Sequence, residues 1–92
     1  MAETIDDITI DYTEEGVLTT KQLDKVVLTR GAWTTIVFRF QTWDKKAQAY
    51  GPEAYSIRRY QKKGGAYQQR SKFNISNAEQ AKKIIEVLNG WL

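Results

Sequence analysis

Residues 33–43, with the sequence WTTIVFRFQTW, form the strongest β-strand signal in the chain. The even-numbered positions include the large apolar residues Ile36, Phe38 and Phe40, whereas the odd-numbered positions mix Trp, Arg and Gln. Because successive side chains of a strand point to opposite faces, this alternation predicts one apolar face and one mixed face. The fold must therefore cover one side of a sheet that contains this strand.

Three further segments are typical of strands, because they are short and rich in β-branched and aromatic residues. They are residues 25–30, 54–62 and 67–75. A polar loop at 44–53, which contains Gly51 and Pro52, separates the second strand from the third. Gly64 and Gly65 predict a hairpin between the third and fourth strands.

The register of this hairpin follows from which residues must be buried. Phe73 and Ile75 are the apolar residues of the last strand, and Ile57 is their counterpart in the third. A two-residue turn would pair Ile57 with Lys72, and a slip of one residue reverses every side chain. The sequence therefore predicts a turn of three or four residues, or a β-bulge, that brings Ile57 opposite Phe73.

The C-terminal segment is predicted to be an amphipathic helix. Residues 76–79 fit a capping box, in which the Ser76 hydroxyl and the Glu79 carboxylate satisfy backbone N–H groups. Apolar residues then follow at helical spacing, at Ala81, Ile84, Ile85, Leu88, Trp91 and Leu92. The predicted fold class is α+β, with a four-stranded antiparallel curved sheet followed by one C-terminal helix (ββββα).

The first 22 residues form an acidic arm that precedes a predicted domain at 23–92. Ile8, Ile10 and Tyr12 alternate with polar residues, which favours one extra strand. The surrounding acids and Gly16 favour a loose, disordered arm equally well. Both alternatives remain open at this point.

Charge is distributed unevenly along the chain. Residues 1–24 hold seven acids and one base, a net charge of −6, and residues 25–92 hold thirteen bases and four acids, a net charge of +9. The overall charge of +3 therefore conceals a basic domain behind an acidic leader. Such a charge distribution favours an anionic partner.

Several classes of function are disfavoured by composition. The chain has no cysteine and no histidine, so thiolate metal sites, disulfides and the commonest general base are absent. Carboxylates after Asp24 are few and scattered, so the sequence predicts no enzyme, no metal and no cofactor. No apolar run approaches the length of a membrane span, and we expect an intracellular, cytoplasmic protein that associates with the nucleoid.

The mixed sheet face suggests single-stranded nucleic acid as a ligand, because such ligands need cations for phosphates and flat rings for bases. The candidate binding residues combine both types: Trp33, Arg39, Trp43, Lys45, Lys46, Arg58, Tyr60, Lys62, Arg70 and Lys72. Arg59 is assigned to the apolar face, where it would reach solvent or form an ion pair. This prediction requires the rings and guanidinium groups to lie together on a single open side of the sheet.

Three segments of the chain resemble the single-stranded-DNA-binding transcriptional coactivator family known as positive cofactor four, in its short bacterial and phage forms. They are GAWTTIVFRFQTWDKK, YSIRRY and KFNISNAEQAKKIIEVL. The resemblance spans residues 25–92. The chain departs from the family at two places. It has Phe73 where the family has glycine, and Gln69-Arg70 where the family has a Pro-Gly pair.

The resemblance implies a homodimer in which two β-ridges carry single-stranded DNA. It also implies that Trp43 and Tyr60 stack on bases. Arg58 resembles the arginine of the family's third strand, and Arg70 and Lys72 resemble the family's basic residues before the helix. The leading hypothesis is thus sequence-tolerant single-stranded-DNA binding in transcription, replication or recombination, with transcription or replication proteins as further partners and no membrane partner. The alternatives are an RNA-binding module of Whirly or Pur type and a protein-interaction dimer that binds no nucleic acid. The acidic leader is expected to compete with DNA for the basic face.

Overall fold

A computed structural model describes residues 2–92. The elements are a 3-10 turn at Ile5–Asp7, strands β1 (Tyr12–Glu14), β2 (Val17–Thr29), β3 (Trp33–Asp44), β4 (Ala49–Tyr50), β5 (Ala54–Lys63) and β6 (Ala66–Ile75), and helix α1 (Ala78–Trp91). The sheet has the order β1-β2-β3-β5-β6, with β4 paired to β3. Its strands are antiparallel, and it curls into a half-barrel. The α+β class with one C-terminal helix is confirmed, but the sheet has more strands than the predicted four.

Strand β2 is longer than the predicted segment at 25–30. It begins at Val17, directly after a two-residue turn in which Glu15 and Gly16 adopt left-handed conformations with φ of 51° and 80°. Its first half has the sequence VLTTKQL, in which Val17, Leu18 and Leu23 do not alternate with the polar residues, so it lacks the apolar alternation that reveals β3. Pairing with neighbouring strands accounts for this half of β2: Val17 and Leu18 pair with β1, and the residues from Thr20 onward pair with β3.

The β5–β6 hairpin has the predicted pairing of Ile57 with Phe73. Its turn consists of only Gly64 and Gly65, whose φ angles of 62° and 83° suit a tight hairpin turn. A bulge in the pairing between Arg59 and Tyr60 supplies the necessary one-residue shift. The predicted bulge is therefore confirmed, and it pairs Tyr60 with Gln69.

The sheet has two distinct faces. Cross-strand partners point to the same side, so the pairs Ile36–Arg58 and Phe38–Ser56 define one face. We call this the core face, because Ile36, Phe38 and Ser56 are fully buried there. The opposite side contains Val37 paired with Ile57, and we call it the helix face because α1 lies against it.

Residues 2–11, which we call the N-terminal strap, cover the core face. Ile8 and Ile10 are 3% and 6% exposed and pack with Ile36, Phe38 and Tyr60. This cluster is the hydrophobic core of the molecule, so the start of the chain contributes directly to folding.

The strap runs across the open side of the half-barrel from one outer strand toward the other. At one end the Tyr67 N–H of β6 donates to the Ala2 carbonyl at 2.8 Å. Toward the other end the Lys25 Nζ of β2 donates to the carbonyls of Ile5, Asp6 and Ile8 at 2.8, 3.2 and 2.8 Å. Three acceptors match the three N–H donors of one ammonium group, so Lys25 holds the 3-10 turn in place.

Helix α1 begins one residue later than the predicted capping box. The Asn77 side chain accepts from the Gln80 N–H at 2.8 Å, and Gln80 Oε1 accepts from the Ser76 N–H at 2.9 Å. Ala81, Ile84 and Ile85 line an apolar cleft with residues of the helix face, yet no residue of α1 is buried. Among residues 2–92, no helical segment has the length and apolar character that a membrane span requires.

Candidate nucleic-acid interface

The structure divides the predicted binding residues between the two faces of the sheet. Odd-numbered residues of β3 pair with odd-numbered residues of β5, and even-numbered with even-numbered. The odd-numbered residues Trp33, Arg39 and Trp43 therefore lie on the helix face, whereas Arg58 and Tyr60 lie on the core face. The prediction combined odd positions of one strand with even positions of the next. The prediction that the rings and cations lie together on a single open face of the sheet is therefore wrong.

Tyr60 is a core residue and offers no surface for a base. It is 6% exposed, and its ring meets Phe38 edge-on at a centroid distance of 6.5 Å and an angle of 74°. Burial raises the pKa of Tyr60 above 10.0, and the neighbouring Arg58 charge and hydrogen bond offset part of this effect. The predicted stacking role of Tyr60 is wrong, because Ile8 and Ile10 of the strap pack in the same cluster.

Arg58 is largely engaged within the molecule. Its Nε donates to Ser56 Oγ at 3.0 Å, its Nη1 donates to Gln69 Oε1 at 2.9 Å, and its guanidinium lies 6.0 Å from the Phe38 ring centroid. These contacts cover the core and connect β5 to β6. Lys72, which pairs with Arg58 across the hairpin, is exposed on the same face.

Arg70 lies on the other face from Arg58. Its Nε donates to Gln61 Oε1 at 3.0 Å, and Gln61 pairs with Trp33 on the helix face. The bulge next to Tyr60 produces this placement. Arg59 pairs with Ser71 and Tyr60 with Gln69, so Arg70 is the extra residue of β6 between the two pairs. Arg58 and Arg70 therefore do not form one continuous cationic surface.

Arg39 and Trp43 lie near acidic groups. Arg39 Nη1 is 2.6 Å from Glu53 Oε1, and its Nη2 is 4.0 Å from Asp24 Oδ2, so two carboxylates offset its charge. Trp43 is half-buried, meets the Tyr50 ring edge-on at 5.0 Å, and lines a recess shared by Glu14, Glu15, Lys45 and Gln48. Lys45 and Lys46 are exposed in the adjoining loop. Carboxylates at this end of the sheet weaken its attraction for a polyanion.

The β5–β6 hairpin is the most electropositive element of the fold. Residues 54–75 contain six bases and no acid: Arg58, Arg59, Lys62, Lys63, Arg70 and Lys72. No carboxylate within the hairpin offsets these charges, and such an excess of bases favours an anionic ligand. We call residues 58–72 of this hairpin, together with the adjoining start of β3, the basic hairpin end.

Two rings at the basic hairpin end each lie beside a cation. On the helix face, the Arg59 guanidinium is 4.7 Å from the centroid of the Trp33 ring, and Trp33 is 43% exposed. On the core face, the Lys62 ammonium is 5.5 Å from the Tyr67 ring centroid. Both distances are within the range of cation–π attraction.

Sequence reasoning missed three residues of this site, Arg59, Lys63 and Tyr67. Arg59 was assigned to the face of Ile57, and the structure places it there, opposite Thr35. What sequence reasoning missed is that Arg59 lies beside the ring of Trp33. The complete absence of acids from residues 54–75 was the available signal for this region.

Within residues 2–92 there is no group of three or more acidic side chains that could hold a metal ion. The sequence matches no protein-family model, no curated protein and no solved structure at a significant level. The likeness to the positive cofactor four family therefore stays a prediction.

Proposed function

We propose that the protein binds single-stranded nucleic acid, with DNA as the expected ligand, through the basic hairpin end. The observation that carries this proposal is the combination of six bases and no acid on the β5–β6 hairpin with two cation-flanked rings, Tyr67 of the hairpin and Trp33 at the adjoining start of β3. Such a protein would act where strands are exposed, in transcription, replication or recombination.

The chemistry of the hairpin suits a flexible polyanion. Arginine and lysine side chains neutralise phosphates and release counterions, which makes binding sensitive to salt. Exposed rings and guanidinium planes stack on unpaired bases without selecting a sequence. The ring of Trp33 and the side chain of Arg59 provide both kinds of contact within 4.7 Å of each other.

The proposal is tested by the binding of labelled oligo-dT, followed by fluorescence anisotropy over a series of salt concentrations. If four to six phosphates are contacted, the logarithm of the binding constant should fall against the logarithm of salt with a slope of roughly −3 to −4. A parallel series with oligo-U distinguishes a DNA ligand from an RNA ligand. No binding at low salt, or a slope near zero, would contradict the proposal.

We also propose that the protein is a homodimer joined through α1 and the adjacent helix face. The helix exposes apolar side chains that solvent disfavours, namely Ile85 (56%), Val87 (49%), Leu88 (47%) and Trp91 (79%). On the helix face of the sheet, Val26 and Phe73 are 54% and 55% exposed. A contiguous apolar surface of this kind is typical of an interaction site.

Light scattering over a range of concentrations tests the dimer. A mass near twice the chain mass of 10.6 kDa is expected for the wild type, and Leu88→Lys should shift the population toward the monomer. Glu86→Lys, an exposed change in the same helix, is the control. A wild-type mass of one chain at high concentration would contradict the homodimer and would leave single-strand binding to be judged by its own assay.

A further inference from the structure

The cations of the hairpin are divided equally between its two faces. Arg59 and Arg70 lie on the helix face, and Lys63 follows by strand alternation. Arg58, Lys62 and Lys72 lie on the core face. A ligand that crossed only one face would leave half of these positive charges without a phosphate.

The two ring–cation pairs are also divided between the two faces, with one pair on each. Trp33 and Arg59 belong to the helix face, whereas Tyr67 and Lys62 belong to the core face. Tyr67 is held in place because its hydroxyl donates to the Gly31 carbonyl at 3.3 Å, so its ring stays next to the β2–β3 turn. Both pairs thus lie at the same end of the sheet, on its opposite faces, and the strap reaches the core-face pair where Ala2 accepts from the Tyr67 N–H.

The path from one face to the other is open. The hairpin ends in Gly64 and Gly65, and a Cβ atom added at either position would meet no atom within 4 Å. Strand β6 is also the outer strand of the sheet, and its residues 69–74 are exposed. No side chain of the turn therefore obstructs a chain that passes around this end.

We propose that one single-stranded chain straddles the basic hairpin end, with phosphates and bases in contact with both faces. This inference depends on the proposed function and adds the mode of binding. It also provides a physical basis for selecting single strands, because duplex DNA has a persistence length of about 150 base pairs and does not bend around a single hairpin. A duplex would reach the cations of one face only.

Two charge-matched double variants test the straddling mode. Arg59→Gln with Arg70→Gln removes two cations from the helix face, and Lys62→Gln with Lys72→Gln removes two from the core face. These four side chains are exposed, so both variants should fold like the wild type, which circular dichroism verifies. Each variant should weaken oligo-dT binding and flatten the salt slope by about 1.4, since each phosphate contact contributes about 0.7 for a single strand.

The ring variants Trp33→Leu and Tyr67→Leu should each weaken binding to oligo-dT. A duplex of equal length should bind the wild type more weakly than the single strand does, with a flatter salt slope.

If the double variant of one face retains the wild-type affinity and slope while that of the other face loses them, the ligand uses one face only. Straddling is then wrong, although the proposed function stands. Equal affinity for single strand and duplex would also overturn straddling. If the wild type binds no oligonucleotide, the proposed function itself fails.

Discussion

Tyr60 shows how one residue can connect the N-terminal strap to the sheet. Its ring packs against Phe38 within the cluster that includes Ile8 and Ile10, so loss of the ring would open the core. Replacement of a large buried aromatic residue by alanine costs roughly 3–5 kcal/mol, a large fraction of the stability of a small domain. A binding defect in Tyr60→Ala would therefore report unfolding and would not identify a ligand contact.

The hydroxyl of Tyr60 should make stability depend on pH in alkaline solution. Burial raises the pKa of this group above 10.0, so the folded protein retains the proton to a higher pH than the unfolded chain. Folded molecules then bind more protons in the window above the unfolded pKa, and the free energy of unfolding falls as pH rises through it. Tyr60→Phe removes this titration, and its stability should fall less between about pH 9 and about pH 11.

Urea unfolding at these two pH values measures the effect, with Tyr12→Phe as the control because Tyr12 is 57% exposed. The comparison uses the change with pH and not the absolute stability, because loss of the hydroxyl also removes a polar contact. An equal fall for Tyr60→Phe and for the wild type would contradict the assignment.

At the scale of the elements, the N-cap of α1 is Asn77 and not the Ser76 that the sequence predicted. Asn77 caps the first turn, since its side chain accepts from the Gln80 N–H, whereas Ser76 lies one residue outside the helix. Asn77→Ala should cost about 1 kcal/mol of helix stability, and Ser76→Ala should cost little. Because α1 buries no residue, the loss should appear as faster amide exchange in its first turn. A larger effect for Ser76→Ala would favour the capping box predicted from the sequence.

Elements governed by local chemistry could be predicted from the sequence. Strand β3 shows its two faces in its own alternation, and the hairpin bulge follows from the need to place Ile57 opposite Phe73. The strap could not be predicted in this way, because Ile8 and Ile10 are buried by distant contacts with β3 and β5. The composition of residues 2–11 is equally compatible with a loose arm.

The candidate site was only partly predictable for a similar reason. The excess of basic residues after Asp24 is visible in composition, and Trp33, Lys62, Arg70 and Lys72 were included in the prediction. Which face each residue occupies depends on the register between β3 and β5, which no local signal specifies. An error of one residue in that register was sufficient to combine two faces into one.

At the scale of the whole molecule, the strap brings negative charge close to the proposed site. Glu3 and Asp7 line a recess together with Tyr60 and Tyr67, so the leader lies beside the core face of the hairpin end. Removing residues 1–20 would also remove Ile8 and Ile10 from the core, and it is therefore a poor test of competition.

Neutralisation of Glu3 is a cleaner test of this competition. Glu3→Gln should tighten oligo-dT binding at low salt, because one repulsive charge near Tyr67 is removed, and the gain should fade as salt screens the site. Glu86→Gln makes the same charge change on α1 and is the control. Equal affinities of Glu3→Gln and the wild type at low salt would show that the leader does not compete.

The central claim is that the hairpin, and not the overall charge of +3, attracts the nucleic acid. Two double variants with identical chemistry separate these explanations: Lys62→Gln with Lys63→Gln on the hairpin, and Lys82→Gln with Lys83→Gln on α1. The decisive measurement is the salt dependence of oligo-dT affinity for both variants. The hairpin variant should bind more weakly with a slope flatter by about 1.4, while the helix variant should match the wild type. Equal losses in the two variants, or a loss confined to the helix variant, would contradict the account.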